Sequence, residues 1–148
     1  MILFLDIDGV LHPEFSHESR HFCCLPVLEG VVRQVQDCEL VISSTWRLHA
    51  PLAHLRERFS SDVAARVVGV TSRHGDLANI PETLISYERE AECQAWLRAE
   101  GRAHMPWLAI DDRPWLFRPF CPSLFLVAGL TGLTPAMGQQ LLCRLRSL

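Results

Sequence analysis

Residues 1–13, MILFLDIDGVLHP, contain an apolar run that ends in two aspartates, Asp6 and Asp8, followed directly by Gly9. A continuous apolar run of this length is typical of a buried strand in a parallel sheet. An aspartate at the end of such a run must be solvated, paired or bound to a metal, because burying a bare carboxylate is too costly. The stretch therefore predicts a strand over residues 2–6 that delivers negative charge to the edge of a sheet.

The rest of the chain alternates similar apolar runs with helical patterns. Further strands are predicted over residues 39–43, 66–70, 106–111 and 123–127, and helices over residues 26–36, 50–59, 88–100 and 134–148. Thr134 and Pro135 suit the N-cap and the first turn of the last helix. This alternation predicts a Rossmann-like three-layer α/β/α sandwich with a mostly parallel central sheet. No linker separates two cores, so we expect one domain over residues 1–148. Because the segment between Gly9 and Pro26 is short, we expect no separate cap domain.

Composition limits the possible functions. The net charge of −3 argues against strong non-specific electrostatic binding of nucleic acid, although a local basic groove is still compatible with it. All 14 basic residues are arginines, so no mechanism that requires a lysine is available. The six cysteines contain no CxxC pair, which argues against zinc and predicts reduced thiols in a cytoplasmic protein. No apolar run approaches the ~20 residues of a membrane span, so we expect no membrane partner.

Polar residues follow three of the predicted strands at the point where each strand ends. They are Asp6 and Asp8 after the first strand, Ser43, Ser44 and Thr45 at the second, and Asp111 and Asp112 at the fourth. Ligands of open parallel sheets gather beyond the carboxyl ends of the strands, so these groups should converge on one crevice. Four carboxylates there would repel one another without a cation. Oxygen ligands of this kind suit Mg²⁺.

Three of these segments resemble known motifs. DIDGVL (6–11), VISSTWR (41–47) and AIDD (109–112) resemble motifs I, II and IV of the haloacid dehalogenase (HAD) superfamily. Together with the REAECQAWL helix and a late LTGLT segment, they are similar to capless phosphatase-like domains of bacterial RNA-repair proteins. The resemblance spans nearly the whole chain.

The resemblance implies roles for the aspartates. Asp6 would be the nucleophile, which attacks phosphorus and forms an aspartyl-phosphate. Asp8 would protonate the leaving oxygen and then deprotonate the hydrolytic water. Mg²⁺ would be held by Asp6, the backbone carbonyl of Asp8, and Asp111 or Asp112.

The resemblance also implies how the phosphate is bound. Gly9 would let the chain turn sharply beside the phosphate. The motif II hydroxyl is expected to be that of Ser44, with Ser43 as the close alternative and Thr45 beside them. The third motif is normally a lysine and must be an arginine here. Arg89 matches its position best, with Arg73, Arg47 and Arg113 as competitors, and Arg47 is also expected to contact substrate.

The function expected from this set is that of a Mg²⁺-dependent phosphohydrolase acting on a phosphorylated substrate, which could be a nucleic-acid end or a nucleotide. The alternative is a non-catalytic metal- or phosphate-binding module with the same fold. A phospho-accepting receiver domain fits poorly, because it needs a lysine late in the chain and this chain has none. His12 and His49, which follow motif-bearing strands, are further candidates for substrate contact.

Overall fold

The computed structural model describes all residues from Met1 to Leu148 and contains one five-stranded sheet. The strands are β1 (Ile2–Leu5), β2 (Glu39–Ile42), β3 (Val67–Val70), β4 (Trp107–Asp111) and β5 (Leu124–Leu126). They lie in the order β3-β2-β1-β4-β5, and every neighbouring pair is parallel. The prediction of an α/β Rossmann-like fold is confirmed, and the sheet is parallel throughout rather than mostly parallel.

Five α-helices connect and cover the strands. They are α1 (Leu25–Val32), α2 (Leu52–Arg56), α3 (Ser61–Ala64), α4 (Glu88–Ala99) and α5 (Pro135–Arg146). The predicted start of the last helix is correct, since the Thr134 hydroxyl accepts the Met137 N–H at 3.3 Å and Pro135 is the first helical residue. The predicted helix over residues 26–36 ends earlier, because the chain after Val32 tightens into turns: the Gln34 N–H donates to the Val31 carbonyl.

The helix predicted over residues 50–59 is shorter in the structure, and the short α3 that follows it was not predicted. The interruption between α2 and α3 is stabilised by Glu29, a buried residue of α1. Its carboxylate accepts the Ser60 N–H at 2.7 Å and the Ser60 hydroxyl at 2.6 Å. This contact comes from a distant part of the chain, so local periodicity gave no sign of it.

The two faces of the sheet are packed unequally. The larger core, of 23 buried residues, joins one face of the sheet to α1, α2, α3 and α5. The smaller core, of 7 buried residues, packs the other face mainly against α4. Phe4, Val41 and Ala109 point to this second face. Because side chains alternate along a strand, the residues two positions further on also face the start of α4.

Short loops surround the carboxyl edge of the sheet, and no separate cap domain is inserted between the strands. Residues 6–24 lie between β1 and α1 and contain one 3₁₀ turn, Glu18–Arg20. All six cysteines are free thiols, as predicted, although only Cys38 and Cys93 are buried. None of the helices has the length and apolar character needed to cross a bilayer.

Candidate active site at the carboxyl edge of the sheet

A row of four polar residues crosses the carboxyl edge of the sheet. In the ladder, Leu5 pairs with Ile42 and with Ile110, so the next residues, Asp6, Ser43 and Asp111, lie at the same level. Thr71 extends the row beyond Ser43, since Ile42 pairs with Val70. Asp6, Ser43 and Asp111 each lie two positions after a residue of the smaller core, so they face the start of α4. All four residues are buried.

Three carboxylates form a tight acidic cluster beside this row. Asp6, Asp111 and Asp112 each place an oxygen within 4.8 Å of the others. Oδ1 of Asp112 is buried and accepts no hydrogen bond. In contrast, both oxygens of Asp111 accept from the protein, one from the Arg113 N–H and one from Arg89, at 2.9 Å and 2.8 Å. Asp112 therefore keeps a buried oxygen that accepts no hydrogen bond, with the Arg113 Nε 3.9 Å away.

Gly9 and Gly129 give Asp112 its space. A Cβ atom built on either glycine would lie under 3.0 Å from Oδ2 of Asp112, and Gly9 has a left-handed φ of +75°. An alanine at residue 9 would be both strained and in collision with the carboxylate. The sequence predicted Gly9 as a turn beside a phosphate, and the structure adds that this turn makes room for Asp112.

The three carboxylates of the cluster outnumber the two arginines beside them, Arg89 and Arg113. Burial raises the pKa of Asp111 to about 7, Asp6 adds to the rise, and the Arg89 guanidinium opposes it. Burial, with Asp6 close by, also raises the pKa of Asp112. An all-oxygen donor set, an unpartnered buried oxygen and excess negative charge are the features that a hard divalent cation requires. The residues present therefore fit Mg²⁺.

Arg89 is the arginine that reaches the nucleophile candidate. It lies in the first turn of α4, is buried, and its Nη1 lies 2.8 Å from Oδ2 of Asp111 and 3.4 Å from Oδ1 of Asp6. Glu92, one helical turn later, lies 3.5 Å from the Arg89 Nε and 2.8 Å from the Arg47 Nη2. Burial raises the pKa of Glu92, while Arg47 and Arg89 lower it. Arg89 thus lies where a cation can offset the charge of Asp6 and of a bound phosphoryl group.

Arg47 has structural contacts at the edge of the sheet. Its side chain is only 4 % exposed. Its guanidinium donates to the carbonyls of Thr71 and Ser43 and pairs with Glu92. Because these partners lie just after β3, just after β2 and in α4, the side chain ties the edge of the sheet together. Arg47 also lines a cavity beside the site, and its substrate contact stays a prediction.

The two serines after β2 have different surroundings. The Ser44 hydroxyl accepts the Trp46 N–H at 3.5 Å and caps the 3₁₀ turn Thr45–Leu48. The Ser43 hydroxyl is buried without a hydrogen-bond partner, in register with Asp6. The structure therefore favours Ser43 for the motif II hydroxyl and reverses the preference drawn from the sequence. Thr45 is exposed at the same edge.

Asp8 is separated from the acidic cluster and has its own neighbours. Its side chain is 39 % exposed, and its oxygens lie 2.9 Å from His12 Nε2 and 2.9 Å from Trp46 Nε1. His12 is almost fully buried and holds Asp8 rather than lying open to substrate, whereas His49 is exposed. The sequence analysis assigned no role to Trp46, although its place in VISSTWR was the available signal.

Two cavities lie beside the site. The first, of about 390 Å³, is called the cationic cavity because its arginines outnumber its carboxylates; its charged lining residues are Arg47, Arg73, Arg89, Arg113, Glu88 and Glu92. The second, of about 240 Å³, is lined by Asp8, His21 and Arg113 among others. Arg89 therefore faces the first cavity and Asp8 the second, and Arg113 lines both.

Comparison with known proteins identifies the family. A family model described as the HAD domain in Swiss Army Knife RNA repair proteins matches residues 2–137. No curated protein matches the chain, and no solved structure matches it either. The matched range includes the acidic cluster, the serines after β2 and Arg89, and a HAD domain implies function of the phosphohydrolase type. Since the match covers most of the chain, the protein belongs to the family of HAD domains of Swiss Army Knife RNA repair proteins.

Proposed function

We propose that the protein is a Mg²⁺-dependent phosphohydrolase in which Asp6 is the nucleophile. The observation that carries the proposal is the position of Asp6, which belongs to the acidic cluster that fits a cation and lies 3.4 Å from the Arg89 guanidinium. With a cation bound in the cluster, Asp6 would have positive charge on both sides and could approach an anionic phosphoryl group, which would otherwise be repelled.

The reaction follows from two carboxylates in different surroundings. An oxygen of Asp6 attacks phosphorus, the bond from phosphorus to the leaving oxygen breaks, and Asp8 gives its proton to that oxygen. Asp8 then takes a proton from a water molecule that attacks the aspartyl-phosphate, which releases phosphate and restores Asp6. Asp8 suits both proton transfers because it is partly exposed to the cavity of about 240 Å³.

The remaining site residues bind and orient the phosphate. Asp6, Asp112 and the backbone carbonyl of Asp8 would hold Mg²⁺, with Asp111 fixed by Arg89 behind them. When bound, Mg²⁺ neutralises charge on the phosphoryl oxygens. The Ser43 hydroxyl, buried without a partner in register with Asp6, is placed to donate to a phosphoryl oxygen.

For the substrate we propose the terminal phosphate of a nucleic acid. The site lacks a cap domain, so a large substrate can reach it. Arg73 is exposed and forms no ion pair, and with Arg113 it lines the cationic cavity next to Arg89, where flanking phosphates could bind. The description of the family, which names RNA repair proteins, agrees with this choice.

The test of the activity is phosphate release from phenyl phosphate and from a phosphorylated oligonucleotide, with and without Mg²⁺. Asp6→Asn keeps the shape of the side chain but removes the nucleophile, so we expect turnover to disappear while the fold is retained. Asp37→Asn, an exposed aspartate outside the site, is the matched control and should behave like the parent.

Two results would contradict the proposal. Turnover of Asp6→Asn within tenfold of the parent would remove Asp6 from the role of nucleophile. A parent protein that binds Mg²⁺ but releases no phosphate from either ester would instead support the non-catalytic binding module.

A further inference from the structure

The carboxylate of Asp8 is held at both oxygens by two aromatic side chains. Oδ1 of Asp8 accepts the His12 Nε2–H, and Oδ2 accepts the Trp46 Nε1–H, each at 2.9 Å. His12 belongs to the loop after β1, and Trp46 belongs to the 3₁₀ turn after β2. Because a hydrogen bond at each oxygen fixes the plane of the carboxylate as well as its position, the side chain is restricted to one orientation.

The proton of His12 is placed by the backbone. The Phe22 N–H donates to His12 Nδ1 at 3.3 Å, so the proton of the neutral ring lies on Nε2, facing Asp8. The indole of Trp46 is also neutral. Both donors are uncharged, so they orient the Asp8 side chain without placing a full positive charge against it.

Aromatic packing holds the two donors in place. The ring of His12 stacks on that of His21 with centroids 4.4 Å apart, and Phe22 meets Trp46 edge-on at 5.3 Å. Phe22 has a left-handed φ of 63°, a conformation that is costly for a bulky residue. This strained residue makes both contacts: its N–H donates to His12 and its ring packs on Trp46. The surrounding structure therefore stabilises a costly conformation that keeps these contacts in place.

We propose that His12 and Trp46 are positioning residues that aim the proton of Asp8 at the leaving-group oxygen. The inference rests on the proposed function and deepens it, because it places the leaving oxygen at the cavity of about 240 Å³ that Asp8 lines. The rest of the leaving group can extend from there past Arg113, which lines both cavities. Each carboxylate oxygen keeps a further lone pair beyond the bond to its donor. One oxygen can therefore carry the proton to the leaving oxygen, and later receive a proton from water, while the orientation of the group is kept.

The test compares two esters whose leaving groups differ in their need for a proton. Phenolate is a poor leaving group and depends on the acid, whereas 2,4-dinitrophenolate leaves without protonation. Trp46→Phe and His12→Phe remove one donor each. The measured quantity is kcat/KM, which covers only the steps up to loss of the leaving group and so leaves out hydrolysis of the aspartyl-phosphate that both esters share. We expect kcat/KM for phenyl phosphate to fall by about 10- to 100-fold, which is part of the ~10²–10⁴ that general acid catalysis supplies. For 2,4-dinitrophenyl phosphate we expect kcat/KM to change by less than about threefold, because its leaving group needs no acid.

Two further variants separate positioning from packing. His12→Gln keeps an N–H donor at nearly the reach of Nε2, so it should recover much of the rate on phenyl phosphate. Trp115→Phe removes an exposed indole that makes no contact with Asp8, so its ratio of rates on the two esters should equal that of the parent. A merely structural role would instead lower both rates together and would give no rescue by glutamine.

A second measurement does not depend on turnover. In ¹⁵N NMR spectra, the indole signal that disappears in Trp46→Phe should shift in Asp8→Asn, and the His12 ring should show its proton on Nε2. Unchanged signals would overturn the proposed contact. If the parent is active but the variants lose both esters equally, the positioning role is wrong and the proposed function stands. If the parent hydrolyses neither ester, the proposed function fails, and the positioning role fails with it.

Discussion

The acidic cluster should make the stability of the metal-free protein fall as the pH rises. The pKa of Asp111 is about 7 in the folded protein, against 3.8 for an ordinary aspartate. Between these values the folded protein binds a proton that the unfolded chain has already released. The free energy of unfolding therefore decreases with rising pH, and the contribution of Asp111 is lost as the pH passes through its folded pKa.

The size of the effect follows from the shift of the Asp111 pKa. A shift from 3.8 to about 7 corresponds to at most about 4 kcal/mol of unfolding free energy. About 2–3 kcal/mol of this falls between pH 5 and pH 8, and about 1 kcal/mol falls above pH 6.5. The contribution of Asp111 is best measured above pH 6.5, because His12 has an opposite effect at lower pH. Burial lowers the pKa of His12 from its ordinary value of 6.5, so below that pH the unfolded chain takes up a proton that the folded protein does not, and stability rises with pH.

The assay is urea unfolding between pH 5 and pH 8, in EDTA and in Mg²⁺. Asp111→Asn removes the titrating group, so the variant in EDTA should lack the fall of about 1 kcal/mol above pH 6.5 that the parent shows. Mg²⁺ binds the ionised cluster, so its stabilisation of the parent should grow with pH. Equal slopes for parent and variant in EDTA, or stabilisation by Mg²⁺ that does not change with pH, would refute this account of the cluster.

Three further predictions concern the metal, the turn and the substrate. Asp112→Ala should raise the Mg²⁺ concentration needed for half-maximal activity by more than tenfold, measured by titration of EDTA-treated protein; an unchanged requirement would exclude Asp112 as a ligand. Gly9→Ala should destabilise the protein by about 1–2 kcal/mol through its left-handed φ and reduce activity by displacing Asp112, whereas Gly30→Ala, which has open space around it, is the control for urea unfolding and turnover. A phosphorylated oligonucleotide should have a higher kcat/KM than the matching mononucleotide at low salt, and Arg73→Ala should reduce this preference and its salt dependence; equal values would favour a small-molecule substrate.

The sequence by itself determined the fold and the place of the site. The five apolar runs could only be buried in a sheet covered on both faces, and polar residues at their ends could only meet at the carboxyl edge. Asp6, Asp111 and Asp112 could therefore be placed together, because each directly follows or ends a strand in a register that parallel pairing imposes. The resemblance put Arg89 ahead of Arg47, Arg73 and Arg113 for the third motif; its Nη1 lies 2.8 Å from Oδ2 of Asp111, and its role stays a prediction.

The tertiary structure decided what each polar group near the edge does. Ser43 and Ser44 are equivalent in the sequence, and only the ladder shows that Ser43 lies level with Asp6 while Ser44 caps a turn. The contacts of Arg47 with Thr71 and Glu92, which belong to other segments, likewise appear only in the folded protein.

The same holds for the surroundings of Asp8 and Asp112. The room that Gly9 makes for Asp112 and the hydrogen bond from Trp46 to Asp8 are contacts between segments far apart in the chain. The hydrogen bond from His12 to Asp8 is local, but the Phe22 N–H that orients the His12 ring is ten residues away. The physical reason is the short range of hydrogen bonds and steric contacts. Periodicity along a chain fixes which face a residue occupies, but which donor meets which acceptor is fixed only when distant loops are packed against one another.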